Sequence, residues 1–399
     1  MPPPITPAYI TAFANKVLND NGAVGQDVWD TIVDTGGTAS IDSTINRRSG
    51  GFSLKFSKSA TVNSVYRRKT FNTGSNKATT RLYFYFEKIA NNIRFHGVDD
   101  SSAVSDGLNF RVNGSNLQMI SGGYTSPVSN KNIITGTWYR LEYNIDISAN
   151  PYTINWSIDG EPEAQWKITG SVSTLNRIFF GNPTAVTGSA VLFFTDVVMC
   201  QNLTDYPIGA GNGWALLPNR TITGSWQTQT AFRNNDMTNI DANSWNRLDE
   251  WTPSTGSTSD YVKQITTTGQ TGTIVFGMQP RQDSGQGVIN GVEAYIAYTS
   301  SGTAANNAGC IVRRLDGTEV TVFGSKASPA DYSDGSINSW WFARAVVTAP
   351  TGSWTTNEIN NLEFRFGYST DVSPQPFLGA LLLEYDVGVP APQRAAVVG

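Results

Sequence analysis

Histidine occurs once in this 399-residue chain, as His96. That excludes a metal centre built on several imidazoles, and any serine or cysteine triad would have to use this one ring. Cysteine occurs twice, as Cys200 and Cys310, one in each half of the chain. Thiols so placed make no disulfide framework and read as two buried side chains. Charge is scarce at 15% of residues, with 28 basic and 32 acidic side chains giving a net −4. The longest basic cluster is Arg67-Arg68-Lys69, so there is no electrostatic footprint for nucleic acid or an acidic membrane. The cluster itself reads as a solvated strand face. No apolar run is long enough to cross a bilayer, so no membrane insertion is expected. The opening MPPPITPAYITAFANK lacks the basic and apolar regions of a secretory signal, which points to folding in a reducing cytoplasm. Catalytic signatures are missing as well: no G-x-S-x-G, P-loop, G-x-G-x-x-G or EF-hand pattern occurs.

What the chain has in plenty is Gly, Ser, Thr and Asn, with Trp, Tyr and Phe together at 11%. Aromatics at that level suit strands and argue against disorder. From Gly51 onward the apolar period is two. In residues 81–87, Leu82, Phe84 and Phe86 share one face, while Arg81, Tyr83, Tyr85 and Glu87 share the other. In residues 138–146, Tyr139, Leu141, Tyr143 and Ile145 alternate with Arg140, Glu142, Asn144 and Asp146, which predicts an antiparallel strand with one wet face. Asp159-Gly160 then marks a hairpin turn. Further strands are predicted at 177–180, 191–198, 272–277, 292–298, 311–315, 318–323, 340–347, 361–368 and 377–387. The pair 177–181 and 190–198 is echoed by 363–367 and 380–387, each ending in an apolar strand that carries one Asp, Asp196 or Asp386.

Many short strands between Gly, Asn and Asp turns, over a length suited to two domains, predict an all-β protein. The expected architecture is two tandem concanavalin-like (jelly-roll) β-sandwich domains with a short N-terminal arm or helix. The arm covers 1–40, the first sandwich 41–204, a linker 205–220, the second sandwich 221–387 and a flexible tail 388–399. In the linker, Gly209, Gly211 and Gly213 supply pliability, and Pro207 and Pro218 keep it out of either sheet. Trp214 is read as a staple between the domains.

Candidates for chemistry are few. His96 alternates with Arg94 at a strand end and reads as solvent-facing beside Asp99 and Asp100. Glycoside hydrolysis needs two carboxylates about 5 to 10 Å apart. Glu384 and Asp386 share a strand face, but no third acid follows them, and Asp249 and Glu250 point to opposite faces. Glu142 and Asp146 stand about 13 Å apart along an extended strand. The chain therefore reads as no enzyme, although a pair converging from separate strands is left open. No cofactor is required. Calcium would be sought at Asp99, Asp100 and Asp106, or at Asp331 and Asp334, in acidic Ser-rich loops that are ordinarily just solvated. Aromatic side chains that would stack on sugars are Tyr83, Tyr85, Trp156, Trp166, Trp251 and Trp354, though core or rim packing is the commoner role for each of them taken singly. Ile10, Phe13, Val17 and Leu18, close to helical spacing, form either a helix or an irregular arm and are the candidates for an anchor to a larger particle. Deleting residues 1–30 is expected to leave a soluble folded protein that no longer incorporates into the particle.

Residues 138–146 with Ile158-Asp159-Gly160, then 193–199 running into 205–218 (DYPIGAGNGWALLP), form a recognisable set. Residues 245–250, 259–262 and 354–367 continue it in the second half. On these segments the chain resembles the laminin-G/concanavalin-like, two-sandwich minor tail proteins of tailed bacteriophages, over about residues 45–387. The resemblance implies a virion structural protein assembled in the host cytoplasm and displayed on the particle, as a minor tail, tail-fibre-associated or capsid decoration protein. Its implied partners are other virion proteins, further copies of itself in a homo-oligomer, and host-surface polysaccharide in host attachment. No coiled-coil or collagen-like shaft accompanies the resemblance, so a compact knob is expected. The alternative is a stand-alone carbohydrate-binding module or a glycoside hydrolase acting on bacterial surface polysaccharide.

Overall fold

The alternation becomes antiparallel sheet in a computed structural model. It describes residues 7–11, 29, 31–48, 51–60, 63–99, 107–169, 172–184, 187–222, 232–234, 248, 262–264, 272–283, 287–300, 308–324, 332–333, 336–337, 341–349, 354–368 and 376–388.

The first half contains β1 (Pro7–Thr11), β2 (Thr31–Val33), β3 (Gly37–Asp42), β4 (Ser53–Lys58), β5 (Val65–Ser75), β6 (Lys77–Lys88), β7 (Arg94–Asp99) and β8 (Leu108–Asn113). It continues with β9 (Asn116–Ser121), β10 (Tyr124–Asn132), β11 (Trp138–Asp146), β12 (Tyr152–Ile158), β13 (Glu161–Pro162), β14 (Trp166–Ile168), β15 (Leu175–Asn182) and β16 (Ala190–Cys200). The second half contains β17 (Gly211–Leu216), β18 (Pro218–Thr221), β19 (Phe232–Asn234), β20 (Val262–Gln264), β21 (Gly272–Met278), β22 (Val288–Ser300), β23 (Ala308–Arg313) and β24 (Glu319–Gly324). After these come β25 (Tyr332–Ser333), β26 (Ser336–Ile337), β27 (Trp341–Val347), α1 (Thr356–Asn360), β28 (Glu363–Tyr368) and β29 (Pro376–Gly388).

Sheet I has the order β13-β12-β11-β6-β16-β4-β3, with β1 added on β16 and β14 on β12. Sheet II, β10-β9-β8-β7-β15-β5-β2, faces it. The inward members of each alternation fill the space between: Leu82, Phe84 and Phe86 from one side, Phe95, Phe110 and Phe180 from the other. Phe84 touches both Phe95 and Tyr139, at ring separations of 5.2 and 5.5 Å. Each such buried side chain contributes about 1.5–3 kcal/mol. Sheet III, β19-β20-β29-β22-β27 with β17 on β29, and sheet IV, β18-β21-β28-β23-β24, make the second sandwich. Its core holds Phe276, Ile296, Phe364, Phe366 and Leu381. The protein is thus all-β, two tandem jelly-roll sandwiches. Among the described residues no helix is long and apolar enough to cross a membrane.

The two sandwiches share one topology. The order β11-β6-β16-β4-β3 is repeated as β27-β22-β29-β20-β19, and β8-β7-β15-β5-β2 as β24-β23-β28-β21-β18. Even the added strands correspond, β1 on β16 and β17 on β29. The echo read from 177–198 and 363–387 is the last two strands of each unit.

That correspondence corrects the linker. Residues 211–216 pair with β29 from Gly211↔Gly388 to Leu216↔Leu383, and β18 pairs with β21. The second unit therefore starts at Gly211. Gly211 serves close approach, not pliability: a Cβ there would stand 2.1 Å from Arg81 Nη1. Pro218 opens β18, a strand-initial place where a missing N–H does no harm. Gly388 still pairs in sheet III, and the rest of the expected tail lies outside the described residues.

The N-terminal arm begins as a strand. Tyr9 pairs with Met199 and Ile10 with Val198, so Ile10 is not helical. Phe13, Val17 and Leu18 lie outside the described residues. Trp29 is buried in the first core, edge-on to Phe180 at 6.1 Å. The basic cluster is also corrected. Arg67 and Lys69 stand opposite the inward Phe180 and Ile178 and are buried. Arg67 forks onto both carboxylate oxygens of Asp34 at 2.8 and 2.9 Å, and only Arg68 turns outward. Cys200 and Cys310 are free and buried, as expected. Asp159 and Gly160 both take positive φ and close the expected hairpin between β12 and β13.

Candidate functional site

The outer face of sheet I carries Arg81, Tyr83 and Tyr85 on β6, Trp138, Arg140 and Glu142 on β11, and Phe193 and Thr195 on β16. By alternation this face should be wet. Half of it is instead covered by the connector after β16 and by the outer face of sheet III, which stacks the four sheets in the order II, I, III, IV.

A clasp of charges lies in the covered half. Arg81 and Asp386 are both fully buried and form an ion pair, in which Arg81 Nη1 donates to Asp386 Oδ2 at 3.1 Å. Asn290 Nδ2 donates to the same oxygen at 2.7 Å. Burial by itself would push the guanidinium pKa down, and the facing Asp386 carboxylate more than offsets this, so Arg81 is held charged. Asp196 sits at positive φ in β16, where it accepts from Arg47 Nε at 2.9 Å and from Gly213 N–H at 2.9 Å. Glu142 accepts from Gly209 N–H at 2.6 Å and pairs with Arg140 at 3.0 Å. Beside these, Arg344 pairs with Glu293 and lies 4.7 Å over the ring of Tyr9, bringing β1 into the same junction. Tyr295 and Leu382 add apolar contact with Phe52, Ala215 and Leu217. Trp214 does staple the units: the Arg48 guanidinium lies 4.4 Å over its ring.

The proposed sugar-stacking residues are mostly consumed by packing. Tyr83 is buried in the clasp, with Arg47 3.7 Å over its ring and its hydroxyl accepting from Gly211 N–H at 3.1 Å. Trp156 is core, its Nε1 donating to Ala164 O at 3.1 Å. Trp166 is buried on the inward side of β14, and Trp354, just ahead of α1, is buried in the second core. Trp251 lies outside the described residues. Tyr85 alone among the described candidates stays partly open.

Tyr85 belongs to a row that only strand register reveals. Trp138 stands opposite Tyr85, Tyr85 opposite Phe193, Phe193 opposite Lys55 and Lys55 opposite Ser40. The Tyr85 ring is 5.4 Å from Trp138 and 5.6 Å from Phe193. Lys55 Nζ caps Phe193 at 5.1 Å and reaches Asp42 at 3.8 Å. Trp138, Phe193 and Lys55 escaped the sequence reading. Their alternation was visible, but nothing local says which strands are neighbours.

Asp99 is buried in β7 opposite Arg177, so it is no loop ligand. Asp100, Asp106, Asp331 and Asp334 lie outside the described residues. Among the described residues no three His, Cys, Asp or Glu side chains gather as a metal site. His96 is buried in the aromatic core, not solvent-facing: Phe180 stacks on it at 5.2 Å, and its ring nitrogens bond Phe179 O and the Tyr143 hydroxyl, each at 2.8 Å.

No protein-family model matches the chain, and no curated protein matches it. Solved structures similar to it include the cellulose induced protein Cip1, at 16% identity and TM-score 0.36, over 42% of this chain and 88% of that one. Others are the alginate lyase AlgAT5 from polysaccharide lyase family 7, at 12% identity and TM-score 0.34 over 49% and 94% of the two chains, and a GH131 β-glucanase catalytic domain from Podospora anserina, at 12% identity and TM-score 0.29 over 48% and 90%.

Proposed function

We propose that the protein is a non-enzymatic structural component of a tailed-bacteriophage virion, a locked pair of sandwiches displayed on the particle in several copies and held there by neighbouring virion proteins. The supporting observation is where the segments that resemble minor tail proteins converge. Residues 138–146 are β11, whose Glu142 holds the connector. Residues 193–199 lie in β16 and contribute Asp196, while 205–218 supply the connector and β17, with Gly211 and Gly213 against the clasp. Their shared task is to fix one sandwich on the other. A part built into a particle needs such a fixed shape. A glycan hydrolase would need an open pair of carboxylates, whereas Glu142, Asp196 and Asp386 are each held by donors within the clasp.

Immunogold labelling of intact particles from lysates of cells making the protein tests this. Gold at one fixed place on head or tail is expected. Bare particles with all antigen in the soluble fraction would overturn the reading.

A further inference from the structure

We infer that the outer face of sheet II, toward its β7–β10 end, is a docking face for a neighbouring protein that presents an acidic segment with apolar side chains among its carboxylates. The virion reading supplies the setting on which this rests. The face adds which side of the molecule is held, and by what chemistry.

Sheets II and IV are the two outermost layers of the stack, and their outward residues differ in charge. On sheet IV, Glu363, Arg313 and Glu319 follow one another in register across β28, β23 and β24. Arg365 pairs with both acids, at 3.1 Å from Glu363 and 3.7 Å from Glu319, so that face is balanced. On sheet II the outward positions carry Arg68, Arg94, Arg111 and Arg177, each half-buried. The single acid in its seven strands is Asp99, buried opposite Arg177. A chain of net −4 thus gathers basic charge on one outer face. Sequence hides the patch because its four arginines come from four different strands.

Two of these arginines are held by neutral groups. Arg111 Nε and Nη2 donate to Gln118 Oε1 at 3.0 and 2.6 Å, and Arg68 Nη2 donates to Thr31 Oγ1 at 2.9 Å. Such acceptors fix a guanidinium and leave its charge in place. Arg94 stands directly opposite Arg111, and like charges so placed cost stability. A carboxylate laid across the pair relieves that cost and meets forked donors on both sides.

The same end of the sheet carries apolar surface. Among the described residues the exposed large apolar side chains are Tyr124, Val128, Ile134 and Leu315, and the first three lie on β10 or just after it. Val128, Gln118, Arg111 and Arg94 follow in register from β10 to β7, a row about 14 Å long at the usual strand spacing. Arginine beside aromatic and apolar side chains is the composition of a protein interface, whereas phosphate recognition makes no use of Val128 or Ile134. Pro127 and the register shifts of β10 oppose strand addition at this edge, so the partner docks through side chains.

The test is fluorescence anisotropy of a labelled dodecapeptide of Glu-Glu-Val repeats titrated with the full chain. The same peptide with lysine for glutamate, and a single-stranded DNA of equal length, are the comparisons. The glutamate peptide should bind, more weakly as salt rises, and the lysine peptide should not. Arg94→Ser with Arg111→Ser should weaken binding about tenfold or more, the loss expected for contacts to charged groups. If that double variant melts early, Tyr124→Ser with Val128→Ser decides in its place and should weaken binding about threefold or more. No binding of the glutamate peptide, equal binding of the lysine peptide, tighter binding of the DNA, or binding that the variants leave unchanged overturns the docking face. Immunogold labelling then separates the face from its setting. The folded arginine double variant should leave particles bare where the unaltered protein labels them, and gold at the same place with both overturns the face while the virion reading stands. Peptide binding with particles left bare by the unaltered protein removes the virion reading and keeps the face.

Discussion

The single imidazole of His96 lies among Phe110, Tyr143 and Phe180, and its hydrogen bonds define its state. A peptide carbonyl only accepts, so Nδ1 carries the hydrogen and donates to Phe179 O, leaving Nε2 to accept from the Tyr143 hydroxyl. Burial drives the pKa down to about 3, the Phe179 bond opposing it, so the folded ring stays neutral. The unfolded ring protonates near pH 6.5. Below that value only the unfolded chain gains the proton, so the stability is full above about pH 6.5 and falls by about 1.4 kcal/mol per pH unit toward pH 3. Urea unfolding at pH 7, 6, 5 and 4 should show this slope, and His96→Gln should remove it. The sequence misplaces His96 for a local reason. Residues two apart share a strand face, but the β7–β8 register shifts between Arg94 and His96, so the bulge turns His96 inward.

At the scale of elements, strands whose alternation runs unbroken were readable to the residue: β11 spans Trp138–Asp146 as expected. What local pattern cannot carry is which strand lies beside which, and what covers a polar face. Arg140 and Glu142 look solvated in sequence because the connector and sheet III that cover them are far along the chain. The N-terminal arm shows the same limit. The pairing of β1 with β16 and the burial of Trp29 make the arm part of the first sandwich, so its loss weakens a fold that the sequence reading expected to stand without it. Removing residues 1–30 deletes a buried Trp, about 3–5 kcal/mol by itself. At about 2–4 °C per kcal/mol for units of this size, the melting temperature followed by circular dichroism should fall by about 6–20 °C.

For the whole molecule, the duplicated topology was legible as an echo, but the meeting of the two units was not. Asp196 and Asp386, paired in that echo, both turn toward one junction, where Arg81 and Arg47 receive them. Cutting one side of a buried pair leaves an uncompensated charge, a loss of about 3–5 kcal/mol, while replacing both sides with apolar groups is nearly neutral. Arg81→Met should therefore split a single calorimetric unfolding transition into two, one per sandwich. Arg81→Met with Asp386→Leu should bring the two back toward one.

The same ion pair also orders events on the ribosome. The first sandwich is complete once Cys200 is made, and Asp386 follows 186 positions later, an interval of roughly 9–37 s at about 5–20 residues per second. Throughout that interval the first sandwich has its own core but a naked docking face, with Arg81 hydrated and Tyr83 and Phe52 bared to other nascent chains. The period of greatest aggregation hazard for this protein is thus set by translation speed through the second half, and slow codons there would lengthen it.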